Sequence, residues 1–339
     1  MGMLRFLAKR LALLVLVLLG ATIITFVISH AVPSDPARMW AGPRAGPAQI
    51  EQARRELGLD QPVYIQLVVY ITRILRGDLG VSIHTRRPVL NDIAAFFPAT
   101  FELTTFAMIV ALALGIPMGV VSATRRDKLP DHASRIFSLT GVSVPIFWLG
   151  LLAQLVFSST LHILPTSGRV DGSLLANAPP TITGLYLFDS LLAGNWPFFA
   201  SAFVHILLPG LTLSYASLAI VTRMTRSTML EVLGKDYIRT ARMKGLPERV
   251  VLYKHALKNA LIPILTIVSL CYGFLLAGAV LVETIFDWPG MGLYATNSIL
   301  TLDLPAIIGV TLIVAVIYVM INLVVDILYT FVDPRVRYD

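Results

Sequence analysis

Chemistry needs side chains of the right type at the right spacing, and this sequence offers few such sets. The pattern G-x-x-x-x-G-K-[ST], whose backbone cradles phosphates, is absent. So are the G-x-S-x-G elbow of a serine nucleophile and the H-E-x-x-H pair of a zinc protease. The histidines, His30, His84, His132, His162, His205 and His255, are scattered at span ends and in loops with no ligand spacing. The single cysteine, Cys271, lies in an apolar run and reads as a small buried side chain. Three carboxylates lie close to apolar segments: Glu102 and Glu283 at one set of ends, and Asp326 about a turn from the other. None is placed at a mid-bilayer position, where a proton-coupled carrier needs its relay. Asp326 therefore reads as a hydrogen-bond partner. The segment that stands out is residues 223–259, with nine Lys or Arg side chains in a helical pattern.

These residues are positioned by a chain that is mostly apolar. Of 339 residues 56% are hydrophobic and 14% charged, and the mean hydropathy is +0.77. Soluble domains carry about 25% charged residues, so the composition is that of a membrane protein. A bilayer core about 30 Å thick takes about 20 apolar residues as helix. Six runs meet or approach that length: 11–32, 103–123, 136–161, 206–222, 260–282 and 304–325. Backbone groups in lipid must pair within their own segment, so the runs are helices, and the fold class is all-α integral membrane with six transmembrane helices. The first run exceeds a signal peptide's apolar core, and no small-residue cleavage site follows it, so it reads as a retained span. Gly115 and Gly119 have the G-x-x-x-G spacing of close helix packing. Pro117 should kink its span, and Pro145, Pro209 and Pro263 should break theirs. Phe147 and Trp148 read as packing residues.

Charge orients the spans. Basic residues gather before the first span (Arg5, Lys9, Arg10), in 124–135, in 223–259 and in the tail (Arg335, Arg337). Loop 162–205 has only Arg169, and 283–303 has none. The positive-inside rule makes the basic set, with both termini, cytoplasmic. Loop 33–98 has eight arginines but also six acidic residues, and its 66 residues exceed the loop length the rule governs. The net charge of +7 and the pI near 9.6 are thereby explained without nucleic acid.

The organisation is then 1–32 for the N-terminus and first span, 33–98 for an external domain, and 99–339 for a five-helix core. Within 33–98, Pro36, Gly42, Pro43, Gly46 and Pro47 mark loop, and 49–57 is a short helix ended by Gly58. Residues 62–75 form a second helix with Val63, Leu67, Tyr70, Ile71 and Ile74 on one face, followed by a turn at 77–80. Loop 162–205 holds a weak interfacial helix near 185–192. In 223–259, helical runs at 229–233 and 237–243 are separated by Gly234. Gly245 and Pro247 make a break, and helix resumes over 248–256. Gly245 is expected to take a turn conformation with φ > 0.

The run Asp236-Tyr237-Ile238-Arg239-Thr240-Ala241-Arg242-Met243-Lys244-Gly245-Leu246, with His255-Ala256-Leu257-Lys258-Asn259-Ala260-Leu261-Ile262-Pro263 after it, resembles the cytoplasmic loop of ABC-importer permeases of the dipeptide/oligopeptide/nickel type. Against the general pattern E-A-A-x-x-x-G it carries Arg239-Thr240-Ala241 and Gly245, with Arg for the usual Glu. Further matches are Pro33-x-Asp35-Pro36, Glu56-Leu57-Gly58-Leu59-Asp60-x-Pro62, Gly77-Asp78-Leu79-Gly80-x-Ser82, Pro145-x-Phe147-Trp148, Pro165-x-Ser167-Gly168-Arg169, Glu283-Thr284-Ile285-Phe286-x-Trp288-Pro289-Gly290 and Asp333-Pro334-Arg335. The long loop 162–205 is most similar to the dipeptide branch. The resemblance implies a type I importer permease in the inner membrane and a second homologous permease chain beside it. It also implies two ATPase subunits that hold the ATP and Mg, and an external substrate-binding protein. In such a complex this chain has no cofactor and no catalytic residue. Its coupling helix would be carried by Asp236, Tyr237, Arg239, Thr240, Ala241 and Gly245. Cargo implied by the family is a di- or oligopeptide, with nickel, opines, glutathione and oligosaccharides carried by relatives; a proton-coupled carrier is the rival of a different class.

Overall fold

The computed structural model describes residues 2–31, 35–42 and 44–332, and every described element is helical apart from one isolated bridge, Val81 to Pro88. Pro33, Pro43 and the Asp333-Pro334-Arg335 motif lie outside the described residues, as do the side chains of Arg5, Lys9, Arg10, His30 and Asp326. The chain divides into two compact units: residues 3–97 with 293–319, and residues 98–292 with 320–339.

The first unit begins with α1 (Gly2–Ala31). Its described apolar part is Val15–Ile28. The proline-marked stretch expected as loop instead starts α2 (Pro36–Ala41). Asp35 accepts from the backbone N–H of Ala37 at 3.2 Å, and Pro36 sits at N1, where its missing N–H costs nothing. Next come α3 (Pro47–Glu56) and α4 (Val63–Leu75). Gly58 has φ +68°, and the N–H of Leu59 returns to Arg54 O at 2.9 Å, a Schellman ending. Leu67, Tyr70, Ile71 and Ile74 of α4 are half-buried as their spacing requires, while Val63, expected on that face, is exposed. The unit closes with the first part of α5 (Val89–Thr124), the end of α13 (Met291–Leu300) and the start of α14 (Leu304–Val332). Its interior includes two carboxylates among apolar side chains. Asp92 and Asp303 are fully buried; Asp303 accepts from Ser82 Oγ at 2.5 Å and His84 N–H at 3.0 Å, and Asp92 meets Arg87 at 2.6 Å and the Tyr294 hydroxyl at 3.2 Å.

The second unit holds the rest of α5, then α6 (Leu129–Ser143), α7 (Ile146–Ala153) with a π-helical continuation Gln154–Thr160, and α8 (Tyr186–Leu192). It continues through α9 (Trp196–Leu233), α10 (Asp236–Met243), α11 (Glu248–Val250), a π turn Val251–Leu257 and α12 (Lys258–Ile285). Among the described residues, four helical stretches are long and apolar enough to cross a membrane: Val89–Thr124, Trp196–Leu233, Glu248–Ile285 and Leu304–Val325. The expected span 136–161 is not one rod: α6 and α7 bend by 105° at Val144-Pro145. Val144 is extended, φ −84° and ψ 124°, the conformation a following proline imposes, and Pro145 has no N–H to continue the ladder. Pro117, Pro209 and Pro263 differ: all lie inside continuous helices, so the breaks expected at Pro209 and Pro263 do not occur.

Small residues set how closely these helices approach. A Cβ on Gly115 would lie 2.9 Å from Val221, one on Gly119 would strike Thr225, and one on Gly141 would lie 2.7 Å from Ala219. The G-x-x-x-G pair thus seats α5 on α9, and Gly141 seats α6 on the same helix. Phe147 and Trp148, expected in packing, are about half exposed on α7. Cys271 is buried, as its apolar surroundings predict.

Candidate functional site

The basic segment folds as its punctuation requires. α9 runs out to Leu233, Gly234 ends it in the right-handed region, and α10 follows after Lys235. Asp236 opens α10, where a carboxylate faces the positive end of the helix dipole. Successive residues turn by about 100°, so Ile238 and Ala241 share one face. Both are buried, against Met229, Val251, Ala256 and Ala260 and against Val120 and Ala123 of α5. The opposite face carries Asp236, Arg239, Thr240 and Met243, all exposed, with Met243 74% exposed. Tyr237 flanks it, 44% exposed, its hydroxyl pKa pushed up by partial burial.

The end of α10 is fixed by backbone geometry. Gly245 has φ +72°, as expected; its N–H meets Arg242 O at 2.9 Å and the N–H of Leu246 meets Ala241 O at 3.4 Å. This is a Schellman ending that an L side chain enters only with strain. A Cβ there would touch nothing within 4 Å, so the constraint is conformational. Across the turn Arg242 grips Glu248 with two hydrogen bonds, at 2.7 and 3.2 Å. That contact holds the Glu248 carboxyl below its ordinary range and raises the Arg242 guanidinium. Glu248–Ile285 is 38 residues of helix, about 57 Å at 1.5 Å per residue. A core of about 30 Å cannot contain it, so part of this helix extends beyond such a core.

Of the six residues the sequence singled out, Asp236, Tyr237, Arg239 and Thr240 come together on the outer side of α10, and Gly245 shapes its end. Ala241 does not face outward: its methyl is packed beneath the helix, so it seats α10 rather than offering a contact. Sequence reading missed Met243 and the Arg242–Glu248 clamp. Helical phase from Ile238 was enough to place Met243 outside, and the six-residue separation of Arg242 and Glu248 around a Gly-x-Pro break was the signal for the clamp.

A second cluster lies at the other end of the long helices of this unit. Glu283 is fully buried, accepts from Thr100 Oγ1 at 2.6 Å and from the Gly292 N–H at 2.6 Å, and leaves no room for a side chain at Gly290. Trp288 donates to Ala99 O at 2.9 Å. Glu102 and Arg169 form a buried pair at 2.6 Å, with the guanidinium 3.7 Å from the Tyr186 ring and 3.1 Å from Gly184 O. Glu102 also accepts from the Leu187 N–H at 2.7 Å. The carboxylates read at span ends are thus the centre of a brace joining α5, α8 and the end of α12. Among the described residues no three His, Cys, Asp or Glu side chains converge as metal ligands would.

Comparison with known proteins gives two matches along this chain: "binding-protein-dependent transport system inner membrane component" over residues 115–338, and the corresponding N-terminal component over residues 3–104. The probable D,D-dipeptide transport system permease protein DdpB of Escherichia coli (strain K12) is 51% identical over 324 residues, covering 95% of this chain and 94% of that protein. The dipeptide transport system permease protein DppB of Alkalihalophilus pseudofirmus is 46% identical over 99% of this chain and 100% of its own length. The glutathione transport system permease protein GsiC of Salmonella choleraesuis is 39% identical over 99% of this chain and 100% of its own length.

Proposed function

The chain belongs to the family of binding-protein-dependent transport system inner membrane components, and on that premise we propose that it forms half of the translocation pathway of an ATP-driven dipeptide importer. The chain crosses the membrane six times, with α1 and the bent α6–α7 pair completing the four long apolar helices, and both termini are cytoplasmic. A second homologous permease chain supplies the other half, two ATPase subunits carry ATP and Mg, and an external binding protein delivers cargo. This chain contributes no catalytic group. α10 is the coupling helix.

The observation that carries the coupling role is the division of α10 into two faces. Ile238 and Ala241 fix it to α5, α9 and α12, while Asp236, Arg239, Thr240 and Met243 are exposed on its outer face. A helix anchored in this way passes a push from a partner to three long helices at once. Binding of ATP to the partner subunits favours one arrangement of the permease pair, and release of its products favours the other; each ligand acts by binding the two arrangements unequally. Dipeptide cargo is supported by the relatives named for dipeptides at 46–51% identity, against 39% for the one named for glutathione.

The test is purification of the tagged chain from its host in mild detergent, identification of co-purifying chains by mass spectrometry, and an ATPase assay. Two ATPase chains, a second permease and magnesium-dependent hydrolysis are expected. Recovery of a lone chain whose uptake is driven by a proton gradient without ATP points instead to a secondary carrier. Within the complex, Gly245→Asp is expected to separate ATP hydrolysis from uptake, and normal uptake by a well-expressed variant would sink the coupling assignment.

A further inference from the structure

A second charged feature lies between α6 and α9, outside the residues assigned to coupling. A cavity of about 410 Å³ opens between α6 and α9, with Arg135 and Ser138 on one wall and Thr222, Arg223, Arg226 and Ser227 on the other. Its cations are not equivalent. Arg226 is already neutralised by Asp131, through bonds of 2.6 and 2.8 Å, and Asp131 is further held by Ser122 Oγ at 2.6 Å and the Asp127 N–H at 3.0 Å. Arg135 and Arg223 are exposed and have no ion-pair or hydrogen-bond partner among the described residues. The cavity thus carries two uncompensated positive charges. Thr222 lines the same cavity, is 1% exposed, and its hydroxyl has no hydrogen-bond partner. Buried hydroxyls are nearly always satisfied, and the Thr222 hydroxyl, like that of Thr225 further along α9, lacks the acceptor expected of it among the described residues.

The rim identifies the acceptor. One turn apart along α6, Ile136, Leu139 and Val142 are 64%, 65% and 53% exposed, and Leu139 and Val142 border the cavity. An outward apolar ridge beside two free guanidinium groups is amphiphilic: charge at the floor of the headgroup region, hydrocarbon along the helix. Arginine pairs and a hydroxyl donor suit phosphate oxygens. Basic pockets between membrane helices on the cytoplasmic side take anionic lipid headgroups. We propose that the α6–α9 cavity is a binding site for the phosphate headgroup of an anionic phospholipid, with Arg135 and Arg223 as its cationic ligands, the Thr222 hydroxyl as a donor, and an acyl chain along Ile136, Leu139 and Val142. The assignment rests on the cytoplasmic orientation proposed above and is independent of the cargo.

Native mass spectrometry of the complete complex, released from phosphatidylcholine vesicles with and without added cardiolipin, tests it without depending on transport. The wild-type complex is expected to retain cardiolipin through detergent washing. Arg135→Gln with Arg223→Gln should lower retention roughly tenfold, since each basic side chain near the membrane surface adds to the attraction. The Lys pair should retain most of it. Thr222→Val removes only the unpaired hydroxyl, so its thermal unfolding should match wild type while its cardiolipin retention falls. Equal retention by wild type and the double Gln variant overturns the site. So does loss of the lipid to added inorganic phosphate, which would make it a site for a free anion, or to added dipeptide, which would make it a cargo contact.

Discussion

The two ends of the long helices in the second unit are built on opposite principles. At one end, Glu283, Thr100, Trp288, Glu102 and Arg169 are buried and bonded to one another and to backbone, with glycine at Gly290 because nothing larger fits. At the other, α10 is fixed by the buried side chains Ile238 and Ala241, one turn-forming glycine and one exposed ion pair, and the rest of its surface is uncommitted. The first arrangement tolerates no partner and no displacement, because each buried charge depends on its neighbours. The second leaves an entire helix face for another chain. On the function proposed above, a permease that holds its outer end in register while its inner end receives a push needs this asymmetry.

Breaking the brace should have the largest effect. Arg169→Ala leaves Glu102 buried beside an emptied site and should cost about 3–5 kcal/mol. Thermal unfolding of the solubilised complex and its yield measure that loss, and uptake should fall in proportion to folded protein. Gly119→Leu forces α5 away from α9 and should cost about 1–3 kcal/mol by overpacking, read in the same way.

At the α10 end the sign of the comparison reverses, with losses of function larger than the loss of stability accounts for. Gly245→Val must adopt φ near +72° with a β-branched side chain, a local strain of about 1–3 kcal/mol. The protein should remain in the membrane at near-normal amount while uptake fails. Arg239→Ala removes an exposed side chain and should change stability by less than about 0.5 kcal/mol, yet reduce uptake per ATP hydrolysed. The smallest effect belongs to Arg242 and Glu248. Glu248's carboxyl is held below its ordinary range, so the pair's contribution is present above the unfolded value of about 4.3. It is lost as pH falls through the depressed folded value. As an exposed pair it should show a double-mutant coupling of about 0.2–1 kcal/mol at neutral pH, vanishing in acid.

The sequence made the apolar cores of the helices legible because lipid demands long uninterrupted runs. Their ends were not legible: α5 starts at Val89 and α9 runs from Trp196 to Leu233, since outside the membrane a helix continues on packing and not on hydropathy. The break at Pro145 was legible from the proline itself, whereas the same reading failed at Pro209 and Pro263, which lie within helices that stay continuous. For the site, the resemblance and the punctuation located α10, and Gly245's positive φ followed from its place after the helix. Ala241's inward direction followed only from helical phase relative to a core that the local pattern does not show. The pairing of Arg169 with Glu102, 67 residues away, is tertiary, although a lone arginine in an otherwise uncharged-basic loop and a carboxylate at a neighbouring span end were both visible.

The central claim is that the outer face of α10 meets an ATPase subunit. With Cys271 buried, single cysteines at Thr240 and Met243 can carry a short photo-crosslinker in the intact complex, with Ser173 on the opposite loop as control. The account predicts adducts from Thr240 and Met243 to an ATP-hydrolysing chain, altered by nucleotide, and none to that chain from Ser173. Adducts from Ser173 but not from Thr240 or Met243, or α10 positions labelled only by lipid, would contradict it.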